Sequence, residues 1–474
     1  MKNPLSLVQK TKTCLFLVRT INPSQEITPR FLFISFFTKI GEPGINILDS
    51  MKVTMSKITI FICLLMTLAI VPGCTMPAAG PQKDNSTPPV VLIKTGTPQT
   101  ISTSTPGKLP TSTPILIPAQ IPTIVLTNLS VNPVSFNLEV IAEGLFVPWS
   151  IVFTGPDRLL VSERNGSIRE VANKKLNPSP LITFKSVAVQ QEAGLLGLAL
   201  DPDYKNNQFL YACYTTTKNG VLVNRVVKLK DLGTSITEVG MIIDDIPASY
   251  NHAGGRIRFG PDGKLNLTAG DALQKNLAQD LNSLAGKLLR YNPDGSIPAD
   301  NPFNNSPIYT YGNRNSQGFD WNPVNNLLYE IEHGPTGFDG PPGGDEINLI
   351  QPGGNYGWPL VSHTEKRDGT ISPLVEFTPA VAPGSGMFYR SSLFPQFTSS
   401  FFFGGLEGEG IYRLVISKEN PYVITLIEKL DLNVGRVRDV VEGPDGSIYF
   451  TTSNRDGRGQ LRAGDDKVYR ITPK

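Results

Sequence analysis

A turn built on proline, followed at once by a short run of apolar, β-branched or aromatic residues, recurs six times in the C-terminal two thirds of the chain. The instances are GPDRLLVSE, DPDYKNNQFLYACY, GPDGKLNLTAG, NPVNNLLYEIE, FPQFTSSFFFGG and GPDGSIYFTT, with their prolines at 156, 202, 261, 323, 395 and 444. Successive prolines stand 46, 59, 62, 72 and 49 residues apart. Spacing of that order suits one four-stranded blade per phrase, so the pattern predicts an all-β fold, a six-bladed β-propeller over residues 136–474. With 44 Gly and 40 Pro in 474 residues and only 18% charged residues, the composition favours turn-rich β architecture over a helical bundle. No helix-period segment of useful length competes. Tandem β-sandwiches are the rival arrangement, and the persistence of the spacing across the whole region counts against them.

The N-terminal part reads differently. Residues 58–73, ITIFICLLMTLAIVPG, form an apolar run preceded by Lys52 and Lys57 and closed by small residues, the layout of a signal peptide over 51–74. Val71-Pro72-Gly73-Cys74 resembles a bacterial lipobox, which makes lipidation of Cys74 and an extracytoplasmic, membrane-tethered location the expectation; plain secretion or an uncleaved anchor is the alternative. Residues 1–50 show no periodicity, and translation starting at Met51 or Met55 would explain them. Residues 75–135 are rich in Thr, Pro and Ser and read as an extended linker. Cysteines fall at 14, 63, 74 and 213, so the folded part keeps one and has no internal disulfide. A net charge of +2 gives no electrostatic reason to expect a nucleic-acid partner.

Loops at one end of a propeller carry its sites, and four polar, glycine-rich stretches sit between the phrases. The first is Tyr250-Asn251-His252-Ala253-Gly254-Gly255-Arg256, which holds one of only three histidines. The second is Tyr311-Gly312-Asn313-Arg314-Asn315-Ser316-Gln317-Gly318, a dense run of donors suited to an oxygen-rich ligand. The third runs from Glu332-His333-Gly334-Pro335 through Gly343-Gly344-Asp345-Glu346 to Asn355-Tyr356-Gly357-Trp358-Pro359 and offers hard oxygen ligands of the kind Ca²⁺ prefers. The fourth is Gly435-Arg436-Val437-Arg438-Asp439, where strand alternation turns both arginines to one face, as an anion requires. Each has an ordinary reading as well: a structural histidine, a surface turn, an acidic glycine turn, a solvated edge.

PWSIVF, GLLGLALDPDY, NHAGGRIRFGPDGKL, YGNRNSQG, EHGP, GGDEINLI, GGNYGWP and GRVRDVVEGPDGSIYFTT occur in this order between residues 138 and 472. Together they resemble the soluble glucose dehydrogenases and aldose sugar dehydrogenases that depend on pyrroloquinoline quinone (PQQ). The resemblance implies a propeller that holds the quinone at its channel mouth with Ca²⁺, oxidises an aldose sugar and passes electrons to an external acceptor. It implies His252 as general base and Arg314 as stabiliser of charge on the quinone. Asn315, Arg436, Arg438, Asn276 and Glu192 are implied as cofactor contacts and Asp271 as a substrate contact. The carbonyls of Gly334 and Pro335 are implied as ligands of the catalytic Ca²⁺, and Glu346 with the Tyr356 carbonyl as a second calcium site. Two positions depart from the glucose enzymes: Glu192 stands where they have glutamine, and Glu407 falls in the stretch where they have lysine. Carboxylates there repel a polyanionic cofactor unless calcium or the arginines compensate. The alternative they raise is a non-catalytic surface propeller that binds carbohydrate or protein.

Overall fold

The computed structural model describes residues 135–474 apart from position 431, together with two short strands, Ile124–Leu126 and Ser130–Val131. The segment read as a signal peptide, Cys74 and nearly all of the stretch read as a linker lie outside the described residues.

Six sheets follow one another along the chain, and within each the strands run antiparallel in sequence order from the inside outward. Their innermost strands are Pro148–Gly155, Leu195–Leu200, Ile257–Phe259, Ser316–Trp321, Met387–Phe388 and Val437–Glu442. We number the blades one to six in that order. Blade six takes its outer strand from the other end of the domain: Phe136–Ala142 pairs antiparallel with Val468–Pro473 and closes the ring. Ile124–Leu126 and Ser130–Val131, within the segment read as linker, add parallel edge strands to blades four and five and cover backbone groups an outer strand otherwise exposes.

Apolar residues alternate along these strands, so each blade buries both faces against its neighbours. The core is accordingly divided among the blade interfaces. Leu160, Leu195 and Leu210 pack between blades one and two, Tyr211, Ile257 and Leu265 between two and three, and Leu288, Phe319 and Tyr356 between three and four. Tyr329, Phe388 and Phe403 join four to five, Phe402, Val437 and Phe450 join five to six, and Ile151, Leu159 and Val468 close six onto one. Helix is confined, among the described residues, to the four-residue Tyr204–Asn207 and two 3-10 turns, Lys275–Gln279 and Pro395–Phe397. Cys213 is buried and unpaired.

The proline phrases are the hairpins between first and second strands. In GPDGK, Asp262 Oδ1 accepts the Lys264 N–H at 3.0 Å, and Gly263 at φ +72° makes the turn that a side chain would strain. Asp445 accepts the Ser447 N–H at 3.0 Å in the matching turn of blade six. Since first strands run toward these hairpins and second strands run back, the loops entering each first strand and leaving each second strand share the opposite end of the ring. All four polar stretches fall there. Arg256 crosses the axis beneath them, with Nε donating to Gln317 O and Nη2 to Gly384 O, both at 3.1 Å, Nη1 3.1 Å from Asp439, and its plane over the Trp149 ring at 4.2 Å. This one guanidinium ties loops and strands of blades one, three, four, five and six into a rigid floor.

Candidate active site

Three elements converge on His252. Its own loop enters blade three and holds the residue at φ 55°, a left-handed conformation that a non-glycine residue keeps only when its surroundings enforce it. Asp271, leaving the second strand of the same blade, lies 2.7 Å from His252 Nδ1 through Oδ1. Arg314, entering blade four, lies 3.0 Å from Nε2 through Nη2. Arginine can only donate, so Nε2 is the acceptor and Nδ1 carries the proton that Asp271 receives. The contacts therefore fix the tautomer, with the Nε2 lone pair turned toward Arg314.

Both partners of His252 are themselves held. Asp271 also accepts from the Leu273 N–H at 2.9 Å and from Trp358 Nε1 at 2.8 Å. Arg314 donates through Nε to Asp339 at 2.7 Å and through Nη1 to His333 O at 3.0 Å, and it lies over the Trp358 ring at 5.5 Å. His252, Asp271 and Arg314 are all buried.

Beside this cluster is a group of guanidiniums. Arg436 donates from Nε to Asp456 at 2.9 Å and from Nη1 to Leu406 O at 3.0 Å. Arg438 donates from Nη1 to Gln317 Oε1 at 3.0 Å, and its Nε, buried, has no partner. Burial, together with the neighbouring charges of Arg436 and Arg164, pushes the Arg438 guanidinium down to about 9 against the opposing pull of Asp456 and Glu192. Asn315 accepts from Gln317 Nε2 at 3.0 Å and the Gly254 N–H at 3.3 Å, while its own Nδ2 has no acceptor.

Glu192 bridges the two groups, with Oε2 accepting the His252 N–H at 3.1 Å and Oε1 receiving Arg458 Nη1 at 2.9 Å. The sequence departure is thus compensated within the protein: the carboxylate is engaged by a guanidinium and braces the strained His252 backbone. Glu407, largely exposed, stands 3.6 Å from Arg436. Burial alone would raise the Glu192 carboxyl, but His333 and Arg458 outweigh it and hold the group at about 2. A carboxyl held below its unfolded value contributes stability above the unfolded pKa and loses it as pH falls through the folded one. Glu192→Gln is therefore expected to cost on the order of 1–3 kcal/mol at neutral pH. Urea unfolding of both chains should show that difference shrinking as pH drops from about 4.5 toward 2.

The proposed calcium positions lie on blade four. Glu332 faces Glu346 across the sheet, and Glu346 faces Glu376, so three carboxyl groups form one cross-strand row. Burial pushes Glu332 well above the usual carboxylate range, and the charge of Glu346 adds to it. A small cavity of about 10 Å³, the room of a single water molecule, is lined by Glu332, Gly334, Pro335, Glu346 and Tyr356 together with Arg314. The four positions inferred from the resemblance are thus brought together at one cavity. Among the described residues no three His, Cys, Asp or Glu side chains form a metal-binding group by themselves, so a cation here would need the backbone carbonyls.

Asn276 is not drawn into the cluster. It stands exposed on the 3-10 turn Lys275–Gln279, because the loop after Asp271 turns outward there. Sequence reasoning misses Trp358, Asp339, Arg458 and Arg164 as site residues. Trp358 stands out there only as part of a glycine turn, and the other three lie in loops that leave second strands, which the proline phrases do not flag.

A profile of the family described as glucose/sorbosone dehydrogenase matches residues 145–462. Aldose sugar dehydrogenase YliI of Escherichia coli K12 is 32% identical over 351 residues, covering 69% of this chain and 92% of that protein. The PQQ-bound aldose sugar dehydrogenase of Streptomyces coelicolor superposes with a TM-score of 0.63 at 32% identity, covering 72% of this chain and 99% of that one. A putative oxidoreductase (glucose dehydrogenase) of Thermus thermophilus gives a TM-score of 0.66 at 40% identity, over 71% of this chain and all of the other. A matched region that spans all six blades and contains the His252, Arg314 and Arg436 clusters leaves one assignment: the chain belongs to the glucose/sorbosone dehydrogenase family of oxidoreductases.

Proposed function

We propose that this chain is a quinoprotein dehydrogenase that oxidises the anomeric hydroxyl of an aldose to a lactone, using PQQ and Ca²⁺, and passes the two electrons to an external acceptor. The observation that carries this reading is the fixed His252 tautomer, with Nδ1–H bound to Asp271 and an unprotonated Nε2 whose lone pair accepts Arg314 Nη2 and would exchange that contact for the substrate hydroxyl. When bound, the quinone supplies the acceptor for the hydride leaving the anomeric carbon. His252 Nε2 takes the hydroxyl proton as that hydride leaves, which avoids a cationic carbon, and Asp271 stabilises the imidazolium that forms. Arg314 presents charged donors where negative charge grows.

The donor set fits such a cofactor. Arg438 Nε and Asn315 Nδ2 are buried donors without a protein acceptor, places that ordered water or a ligand completes. Arg436 and Arg438 would bind carboxylates. Gly334 and Pro335 carbonyls supply hard oxygens that would hold the catalytic Ca²⁺, and Glu346 with the Tyr356 carbonyl those of a second calcium position. The acidic departures that raised a purely adhesive role are met by Arg458 and Arg436. The lipobox-like segment supports a place for the enzyme outside the cytoplasmic membrane.

The test is a redox-dye assay on the full chain with PQQ, Ca²⁺ and a panel of aldoses. Bleaching should require all three, and a chelator should lower the rate at least about 10-fold until Ca²⁺ is restored. No turnover with any aldose, combined with no quinone binding, would remove the enzyme reading.

A further inference from the structure

Arg164 leaves the second strand of blade one and is 9% exposed. Its Nε has no hydrogen-bond partner, and its Nη2 reaches only the Asp456 carbonyl at 3.4 Å. A guanidinium does not give up its proton in a protein, so Arg164 is a buried cation that feels Asp456, Glu192 and Asp466 as charges but has no acceptor on its Nε–H. A buried donor left in that state is destabilising until an acceptor meets it.

Its surroundings show where that anion would sit. Asp456 is a common node: its carbonyl faces Arg164, its Oδ2 holds Arg436 Nε at 2.9 Å, and its Oδ1 accepts the Arg458 N–H at 2.9 Å. Arg438, with its own partnerless Nε, feels the charges of both Arg436 and Arg164. Four guanidiniums thus gather from blades one and six among Asp456, Glu192, Asp466 and Glu407, and two buried Nε–H groups, on Arg164 and Arg438, are left without an acceptor. Gly194 lets this happen, since a Cβ there would lie 2.3 Å from Arg164 O and 2.5 Å from its Cγ. The chain from blade two therefore presses against Arg164 and keeps its stem in place.

We infer that Arg164 is a direct binding residue for a ligand carboxylate, completing with Arg436 and Arg438 a three-arginine pocket in which Arg458 is held off by Glu192 as the outer rim. The inference rests on the proposed quinone reading for the ligand's identity, but its chemistry requires only a planar polycarboxylate. A carboxylate at this place accepts the two orphaned Nε–H groups and completes their hydrogen bonding.

The test compares the native full chain with Arg164→Gln, using PQQ and benzene-1,3,5-tricarboxylate as probes in calorimetric titration and thermal unfolding without sugar. Removing a buried guanidinium whose Nε–H has no acceptor should leave the ligand-free melting temperature equal or higher, while the dissociation constant for each probe rises at least about 10-fold and the ligand-induced shift in melting temperature largely disappears. Binding of the tricarboxylate but not PQQ to the native chain, with loss of the tricarboxylate in the variant, supports the pocket while removing the quinone reading. A variant less stable than the native chain without ligand, or one that binds the probes as tightly, overturns the inference. So does a native chain that binds neither probe.

Discussion

Replacing His252 with Ala is expected to lower turnover by about 10²–10⁴-fold, the range that a positioned acid or base contributes, while PQQ affinity stays within about threefold of native. The separation follows from the contacts. Nδ1 is spent on Asp271 and Nε2 faces Arg314, so the imidazole handles a proton but contributes little to the guanidinium group that would hold carboxylates. Asp271 keeps the Leu273 N–H and Trp358 Nε1 after the ring is gone, so its place survives the substitution. Rapid-mixing rates on quinone-loaded protein, with a separate titration of ligand-free protein, measure the two quantities. A variant that loses the quinone but turns over normally on the loaded remainder would contradict the base assignment.

Arg314→Ala should lower turnover by about 10²–10³-fold, as loss of a donor aimed at developing negative charge does. It should also destabilise the fold by about 3 kcal/mol, because Asp339 loses the guanidinium that pairs with it and the His333 carbonyl loses its donor. Arg314→Lys separates the effects. An ammonium restores one charge but cannot span Asp339, His333 O and His252 Nε2 with a planar fork, so stability should return further than rate. Equal recovery of both would mean that Arg314 serves only to hold its loop.

The fold is legible in the sequence through its turns. Asp262 with Gly263 and Asp445 with Gly446 are local devices, readable from four adjacent residues, and the proline turn shared by all six phrases counts the blades. Motifs on the opposite face are legible where the chain enters a first strand, as with His252, Arg314 and Arg436. Contacts made across the ring are not. Glu192 meets Arg458 across 266 residues of chain, and Asp271 meets Trp358 across 87. No local pattern encodes such a meeting. An acidic residue at 192 therefore reads as repulsive until its distant guanidinium is known. Asn276 shows the reverse error, where a motif position implies a contact although the loop after Asp271 takes its own course.

Asn137 Nδ2 and Pro473 O, 336 positions apart, are joined at 2.8 Å on the sheet that shuts the ring. That seam sets an order of assembly. Blades one to five have all their strands before the end of the chain, but the sixth needs both an early strand and the last one, the kind of remote pairing that forms late. Arg436, Arg438 and Asp456 belong to that last blade, so under the proposed reading the guanidiniums that would hold a polyanion are fixed in place only once the ring is shut.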